Sequence, residues 1–284
     1  VHYCLERAYD GGRSLNLAAI QVVLRDYHAL WRKEMVRPTS QQEVDQELTY
    51  GLVAATLPRY FIVRGDDFIP QKKVTRGQLV RPVEWLKLEQ QFNVPFLLPD
   101  GRTIRLRGKF DGSFRCHRQK LWLFETKTKS RIDEEGLQDC LPLDIQVMLY
   151  LLAQQIIYGE QPEGVLYNVI RRPGQRRRVK EPLVEFFRRV ADDVNDPKRT
   201  DHYFLRWEMA ITRHEIEDWV GRTLVPMLTE VCDWFEGKAP HYMNEEALIT
   251  KYGRSPLYDA VLKGDFSRCF RRVVAFNELS DFKD

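Results

Sequence analysis

Two segments constrain the fold of this chain more than any others: Thr103-Ile-Arg-Leu-Arg107 before Gly108, and Leu121-Trp-Leu-Phe124 before Glu125-Thr-Lys127. The first alternates apolar with charged residues and stops at a glycine, which predicts a half-exposed strand ending in a bend. The second is a short apolar run of strong β formers and predicts a buried strand. A period of two puts Glu125 and Lys127 on one face and Thr126 on the other. Asp111-Gly112 between the segments reads as a turn, so the strands are expected to pair as a hairpin with Asp111 beside Glu125. Two carboxylates held that close repel unless a proton or a cation lies between them.

The next segment adds a helix. Leu143 to Ile157 carries Ile145, Met148, Leu149, Leu152 and Ile156 at helical spacing, with Asp144 after Pro142 as N-cap or first-turn residue. Gln146 and Tyr150 lie one turn apart and reach the same neighbour. Singly, these features have bland origins: a turn aspartate and a Glu-x-Lys strand are commonest as solvated hairpin residues, and a helical Gln/Tyr pair as ordinary packing. Their order carries the chemistry. Asp111, Glu125 and the Thr126 carbonyl form an oxygen shell of the kind magnesium or manganese prefers. Lys127 beside them can orient a water and stabilise charge developing on a phosphate.

The order Gly108-x-x-Asp111, Glu125-x-Lys127 and Gln146-x-x-x-Tyr150, on a β-β-β-α-β pattern, resembles the RecB-like branch of the PD-(D/E)XK nuclease superfamily. The likeness runs from about Glu84 to Pro173. It includes Phe124-Glu-Thr-Lys-Thr-Lys129, Leu143-Asp-Ile-Gln-Val-Met-Leu-Tyr150 and Gly164-Val-Leu-Tyr-Asn-Val-Ile-Arg-Arg-Pro173, which are similar to phage and bacterial members. The resemblance implies an α/β, restriction-endonuclease-like fold, a mixed central sheet flanked by helices with helical N- and C-terminal extensions. It implies a Mg2+- or Mn2+-dependent deoxyribonuclease of exonuclease type, acting in DNA repair, recombination or phage DNA processing. Asp111, Glu125 and the Thr126 carbonyl would hold the metal and Lys127 would be the catalytic lysine. Gln146 and Tyr150 would position the DNA and the lysine. Glu89, on a strand from Val83 to Phe96, matches a further acidic position, with Glu84 as the alternative. The partners implied are DNA ends, single- or double-stranded, and a helicase or recombination protein. A catalytically inactive DNA-binding subunit of the same fold is the alternative, and an interaction scaffold with a chance motif is a third class.

Two departures from the family pattern follow. Many relatives carry a metal-binding histidine on an N-terminal helix; here the helix expected over Leu15 to Lys33 offers Gln21 at that place, and His28 reads as an exposed helical histidine. The shell is therefore expected to be leaner, unless the corresponding helix precedes Val1. Several relatives also bind an iron–sulfur cluster near the C-terminus, where Ser255 and Val261 stand in place of thiolates. Cys4, Cys116, Cys140, Cys232 and Cys269 have neither ligand-like spacing nor a disulfide pattern, so no cluster is expected. Tyr252, Leu257, Tyr258 and Leu262 are expected to pack beside the N-terminal helices in its place.

A net charge of +3 over 284 residues does not by itself mark a nucleic-acid binder, but its distribution is uneven. Arg171, Arg172, Arg176, Arg177, Arg178 and Lys180 follow a strand expected over Val165 to Ile170, and Arg102, Arg105, Arg107, Lys109, Arg115 and Arg118 surround Asp111. Such clusters suit phosphate contacts as well as they suit solvated loops. Further helices are expected over Glu43 to Val53, Glu181 to Val194 and Arg213 to Phe235, with a turn at Gly65-Asp-Asp67. The expectation is one domain in three parts: helical to about residue 80, a sheet core over 81–173, and a mostly helical remainder. No span suits a membrane and no secretory signal is seen, so the cytoplasm is expected.

Overall fold

Alternation along Leu121–Lys129 organises the molecule. A computed structural model describes residues 2–10, 17–34, 39–65, 82, 84–132, 136, 140–238, 249–250, 253–255, 258 and 263. The chain forms a mixed α/β structure whose five-stranded sheet runs in the order β1 (Glu84–Leu97), β2 (Thr103–Arg115), β3 (Leu121–Lys129), β4 (Gly164–Arg171), β5 (Phe204–Ala210). β2 and β3 are antiparallel, β3 and β4 parallel, and β4 and β5 antiparallel. Parallel β3 and β4 need a crossover, which the helix between them supplies.

Both faces of β3 are covered. Trp122 and Phe124 join Phe114, Leu166 and Ile170 in a core shared with α1 (His2–Asp10), α2 (Leu17–Glu34), α3 (Ser40–Val63) and α5 (Leu183–Asn195). The crossover helix α4 (Ile145–Tyr158) packs on β3 and β4 and on α6 (Arg213–Trp219). Its buried face is Val147, Met148, Leu151, Leu152 and Gln154, whereas Ile145 and Ile156 are exposed. The inward face is thus rotated from the expected one, because Gln154 enters the core, where it donates to Ser113 Oγ. Asp144 caps α4 as expected, accepting from the N–H groups of Gln146 and Val147, a contact worth about 1 kcal/mol.

One sequence expectation is corrected. Asp111-Gly112 is not a turn: β2 runs through both residues, Gly112 lies opposite Phe124, and the reversal comes at Cys116–Lys120, where Gln119 takes φ +58°. A Cβ at Gly112 would stand 3.1 Å from Trp85 and 3.2 Å from Leu88, so the glycine serves close packing. Within the mostly helical remainder after Pro173, Phe204–Ala210 adds an edge strand, β5, beside β4. The helix expected over Arg213–Phe235 is present over those residues, as α6, a π-helical stretch Val220–Leu224, and α7 (Val225–Phe235). Pro226 supplies no N–H to continue the ordinary ladder there. α3 is longer than expected, starting from a Thr39–Gln42 capping box and running past Pro58.

Contacts divide the chain into two compact units, 1–94 with 108–219, and 95–107 with 220–284. The first holds most of the sheet and α1 to α6. In the second, Arg102 pairs with Asp100, Asp233 and Glu236, and Ile249–Thr250 pairs with Gly253–Arg254 as a two-stranded ladder. Tyr258 lies under the Arg254 guanidinium. Val261, Tyr252, Leu257 and Leu262, Cys269 and the Asp66-Asp67 part of the expected turn lie outside the described residues. Among the described residues no helix is long and apolar enough to cross a membrane.

Gly164 is the tightest point of the sheet. A Cβ there would stand 2.0 Å from the Met209 carbonyl oxygen and 2.9 Å from the Ala210 Cα, both backbone atoms of β5. Gly164→Ala is therefore expected to destabilise the fold by on the order of 3 kcal/mol. An unchanged urea midpoint for that variant would show that β4 and β5 can separate at low cost.

Candidate active site

β2 and β3 deliver two carboxylates to one place. The Asp111 Oδ2 accepts the Thr126 N–H at 2.7 Å, so a side chain takes a main-chain donor of β3 just beyond the last paired residues, Gly112 and Phe124. Glu125, on the face opposite Phe124, is 1% exposed. Its Oε1 meets Lys127 Nζ at 2.5 Å, while its Oε2 is buried without a hydrogen-bond partner among the described residues. Burial first, and then the Asp111 charge, push the Glu125 carboxyl up to about 7. A buried acceptor without a donor is costly, and a cation is one way to satisfy it.

The lysine continues into α4. Lys127 Nζ donates to Gln146 Oε1 at 2.6 Å, and Gln146 Nε2 donates to the Tyr150 hydroxyl at 3.1 Å. Tyr150 is set by edge contacts with Phe92 and Phe110. Gly108 makes that packing possible, because a Cβ there would lie 2.5 Å from the Phe92 ring and 3.4 Å from Tyr150. The Gly-x-x-Asp spacing thus has two jobs: room for the rings at Gly108 and a carboxylate at Asp111. The Thr126 side chain points to the other face, where Asn168 reaches it at 3.4 Å.

Glu89 belongs to the same group. It is a non-glycine residue at φ +46° inside β1, a left-handed backbone that occurs in strands only when its surroundings hold it there. Its carboxylate meets Lys109 Nζ at 2.7 Å. Glu84, the alternative, is exposed at the start of the strand.

The residue that sequence reasoning missed is His2. A helix, α1, precedes α2, and the imidazole Nδ1 of its His2 stands 3.3 Å from Asp111 Oδ1 and 3.8 Å from Glu89 Oε1. One ligand atom from each of His2, Glu89 and Asp111 lies within 4.8 Å of the others. His2 thus brings an imidazole nitrogen beside the acids that the sequence pointed to. The hydrogen bond to Asp111, and then the two carboxylate charges, raise the His2 pKa against the opposing effect of burial. Sequence offered one signal, the apolar Leu5 and Tyr9 that make a short amphipathic helix. No local pattern says that its first turn reaches β2. His28 instead pairs with Glu47 at 3.4 Å and packs on Tyr50.

α1 is held by polar as well as apolar contacts. The Tyr9 hydroxyl bonds that of Tyr60 at 2.8 Å, and Tyr60 accepts from Asn168 at 3.0 Å. Arg206 of β5 donates to Asn168 Oδ1 at 3.2 Å. This buried network joins α1, α3, β4 and β5 under Thr126.

The basic clusters separate. Arg171 and Arg172 line a cleft together with Lys127 and His2. Arg176, Arg177 and Arg178 are exposed on an extended segment, are not among the described residues of that cleft, and lead to Glu181, which accepts from Arg189 and from the Arg178 N–H. Arg115 is engaged by Glu160 at 2.5 Å and Lys109 by Glu89, so neither forms an open phosphate patch around Asp111. Cys4, Cys116, Cys140 and Cys232 are free thiols.

No protein-family model and no curated protein matches this chain. Two carboxylates and one imidazole, Glu89, Asp111 and His2, converge, and beside Asp111 the buried Glu125 meets Lys127 and keeps an Oε2 without a donor among the described residues. That donor set suits a divalent cation with affinity for oxygen and some for nitrogen.

The two raised groups predict a pH dependence. Between about 4.5 and about 7 the folded protein keeps a proton on Glu125 that the unfolded chain has lost, so stability falls as pH rises across that window. His2 acts in the same direction: its contribution is complete below 6.5 and is lost as pH rises through its raised folded value. In chelator, melting temperature is therefore expected to fall from about pH 5 to about pH 8, and the stabilisation by added Mn2+ to grow over the same range, because ligation displaces those protons. Thermal melts with and without Mn2+ test this; a chelated protein that gains stability with rising pH would contradict it.

Proposed function

We propose that this protein is a metal-dependent deoxyribonuclease with a restriction-endonuclease-like core. The observation that carries the reading is a buried carboxylate, Glu125, that meets Lys127 through Oε1, feels the Asp111 charge and leaves its Oε2 without a donor among the described residues. The strand order, the crossover helix and the positions of Gln146 and Tyr150 support the same fold.

Asp111, Glu125, Glu89 and His2 are the residues that would hold the cation, and the imidazole in the set favours Mn2+ over Mg2+. When bound, such an ion polarises a phosphate and lowers the pKa of its water. The remaining work falls to the chain. Lys127 presents a localised positive charge to the reacting phosphate and stabilises the charge that builds on its oxygens. Gln146 fixes the direction of that ammonium, and Tyr150 fixes Gln146. Water adds to phosphorus and the bond to the leaving sugar oxygen breaks, with no covalent intermediate on the protein. Arg171 and Arg172 bind neighbouring phosphates without reading sequence. Action on DNA ends is the mode implied by the resemblance.

The test is Mn2+ titration by calorimetry followed by cleavage assays on end-labelled and circular DNA. The expectation is saturable metal binding, cleavage that stops in chelator, and preference for molecules with ends. DNA binding without cleavage at saturating metal would identify a non-catalytic subunit, and absence of both metal and DNA binding would refute the reading.

A further inference from the structure

The C-terminal ends of parallel β3 and β4 open into a cleft of about 510 Å³. Crevices outside the carboxyl ends of parallel strands are common ligand sites. This one joins two chemistries. Lys127, Arg171 and Arg172 bring positive charge from the strand ends, whereas Leu52, Val53 and Leu57 of α3, with Ile170 of β4, make an apolar floor faced by the Tyr27 ring of α2.

A sugar-phosphate backbone explains the cations but not the floor. A nucleobase explains the floor, since stacking and apolar contact with a base are the usual companions of a cationic groove in single-strand binding. In a duplex the base is stacked and paired, and it must leave the helix to reach such a surface. The volume falls in the range of small-molecule pockets, about 300–1,000 Å³, enough for a nucleotide or two and too small for a double helix.

The floor also carries little means of telling bases apart. Thr56 Oγ1 donates to the Leu52 carbonyl and Thr49 Oγ1 to the Asp45 carbonyl, both within α3, at 2.8 Å each. These hydroxyl protons are committed to the helix and are not offered to a base edge.

We propose that the cleft seats an unpaired nucleotide adjoining the scissile phosphate. Its base lies on the α3 floor beside Tyr27, and its phosphates face Lys127, Arg171 and Arg172. The inference rests on the nuclease reading and narrows it: the substrate is a single-stranded end, taken with little regard to sequence.

Binding is measured by fluorescence anisotropy in chelator, where cleavage is halted. The probes are a labelled oligothymidylate, an oligoadenylate of the same length, a blunt DNA hairpin and an oligothymidylate with abasic residues. The oligothymidylate should bind at least about 10-fold more tightly than the hairpin or the abasic strand, a range set by the stacking energy of one base. Thymidylate and adenylate should differ by less than that. Leu52→Asn, at a half-buried position, should weaken oligothymidylate binding and leave hairpin binding, melting temperature and Mn2+ titration unchanged. If that variant fails to fold, the abasic comparison on the unaltered protein still decides. Equal binding of hairpin and single strand, or indifference to abasic residues, overturns the cleft assignment even if Mn2+-dependent cleavage is found. The expected binding order without cleavage of any DNA leaves the cleft assignment standing and removes the nuclease reading.

Discussion

Asp111→Asn is expected to lower cleavage by more than about 100-fold, beyond what loss of a partner around a metal usually costs, while leaving the fold nearly unchanged. The asparagine carbonyl oxygen can still accept the Thr126 N–H that Asp111 Oδ2 accepts at 2.7 Å, so β2 and β3 stay joined. What disappears is a negative charge facing Glu125 and His2. Without it, the Glu125 carboxyl moves back toward its ordinary range, because the Asp111 charge is the second cause of its elevation. The His2 pKa falls too, having lost its largest support. Mn2+ affinity should drop by about 10-fold or more, read by calorimetry beside the cleavage rate. Full activity in Asp111→Asn would mean that the carboxylate only ties the two strands.

Lys127→Met is expected to reduce the rate on the order of 100-fold or more, with DNA binding largely retained because Arg171 and Arg172 remain. The variant has a second signature. Lys127 lowers the Glu125 pKa through charge and hydrogen bond, so its removal leaves a buried carboxyl that ionises at higher pH. Metal binding should then be impaired at neutral pH and recover as pH is raised, while cleavage does not recover. Recovery of both together would make Lys127 a tuner of Glu125 with no role at the phosphate.

Much of this site was legible because its signals are local. The period of two along Leu121–Lys129 put Glu125 and Lys127 on one face, and the Asp144 cap placed Gln146 and Tyr150 on the first turns of α4. Where local and tertiary preferences disagree, the tertiary ones won. Asp111-Gly112 has turn chemistry, yet Trp85 and Leu88 need the space that Gly112 leaves, and the strand runs on. Phe204–Ala210 mixes charged with apolar residues between helical segments, and only its pairing with β4 makes it a strand. Gln154 looks like a surface residue until Ser113 is placed opposite it. His2 is the clearest case: its role depends on a contact with residues 89 and 111, and no spacing encodes that.

The way α1 is fastened has a consequence for how the metal is felt elsewhere. His2 occupies the first turn of a nine-residue helix whose other end is pinned by Tyr9 to Tyr60 and, through it, to Asn168 and Arg206. A cation held by His2 would bind to that docked position of the helix. By reciprocity the cation favours the docked helix as much as the docked helix favours the cation. Amide hydrogen exchange in residues 2–10 is therefore expected to slow as Mn2+ is added, and under the proposed reading a tyrosine hydroxyl two turns away would help set how long the ion stays.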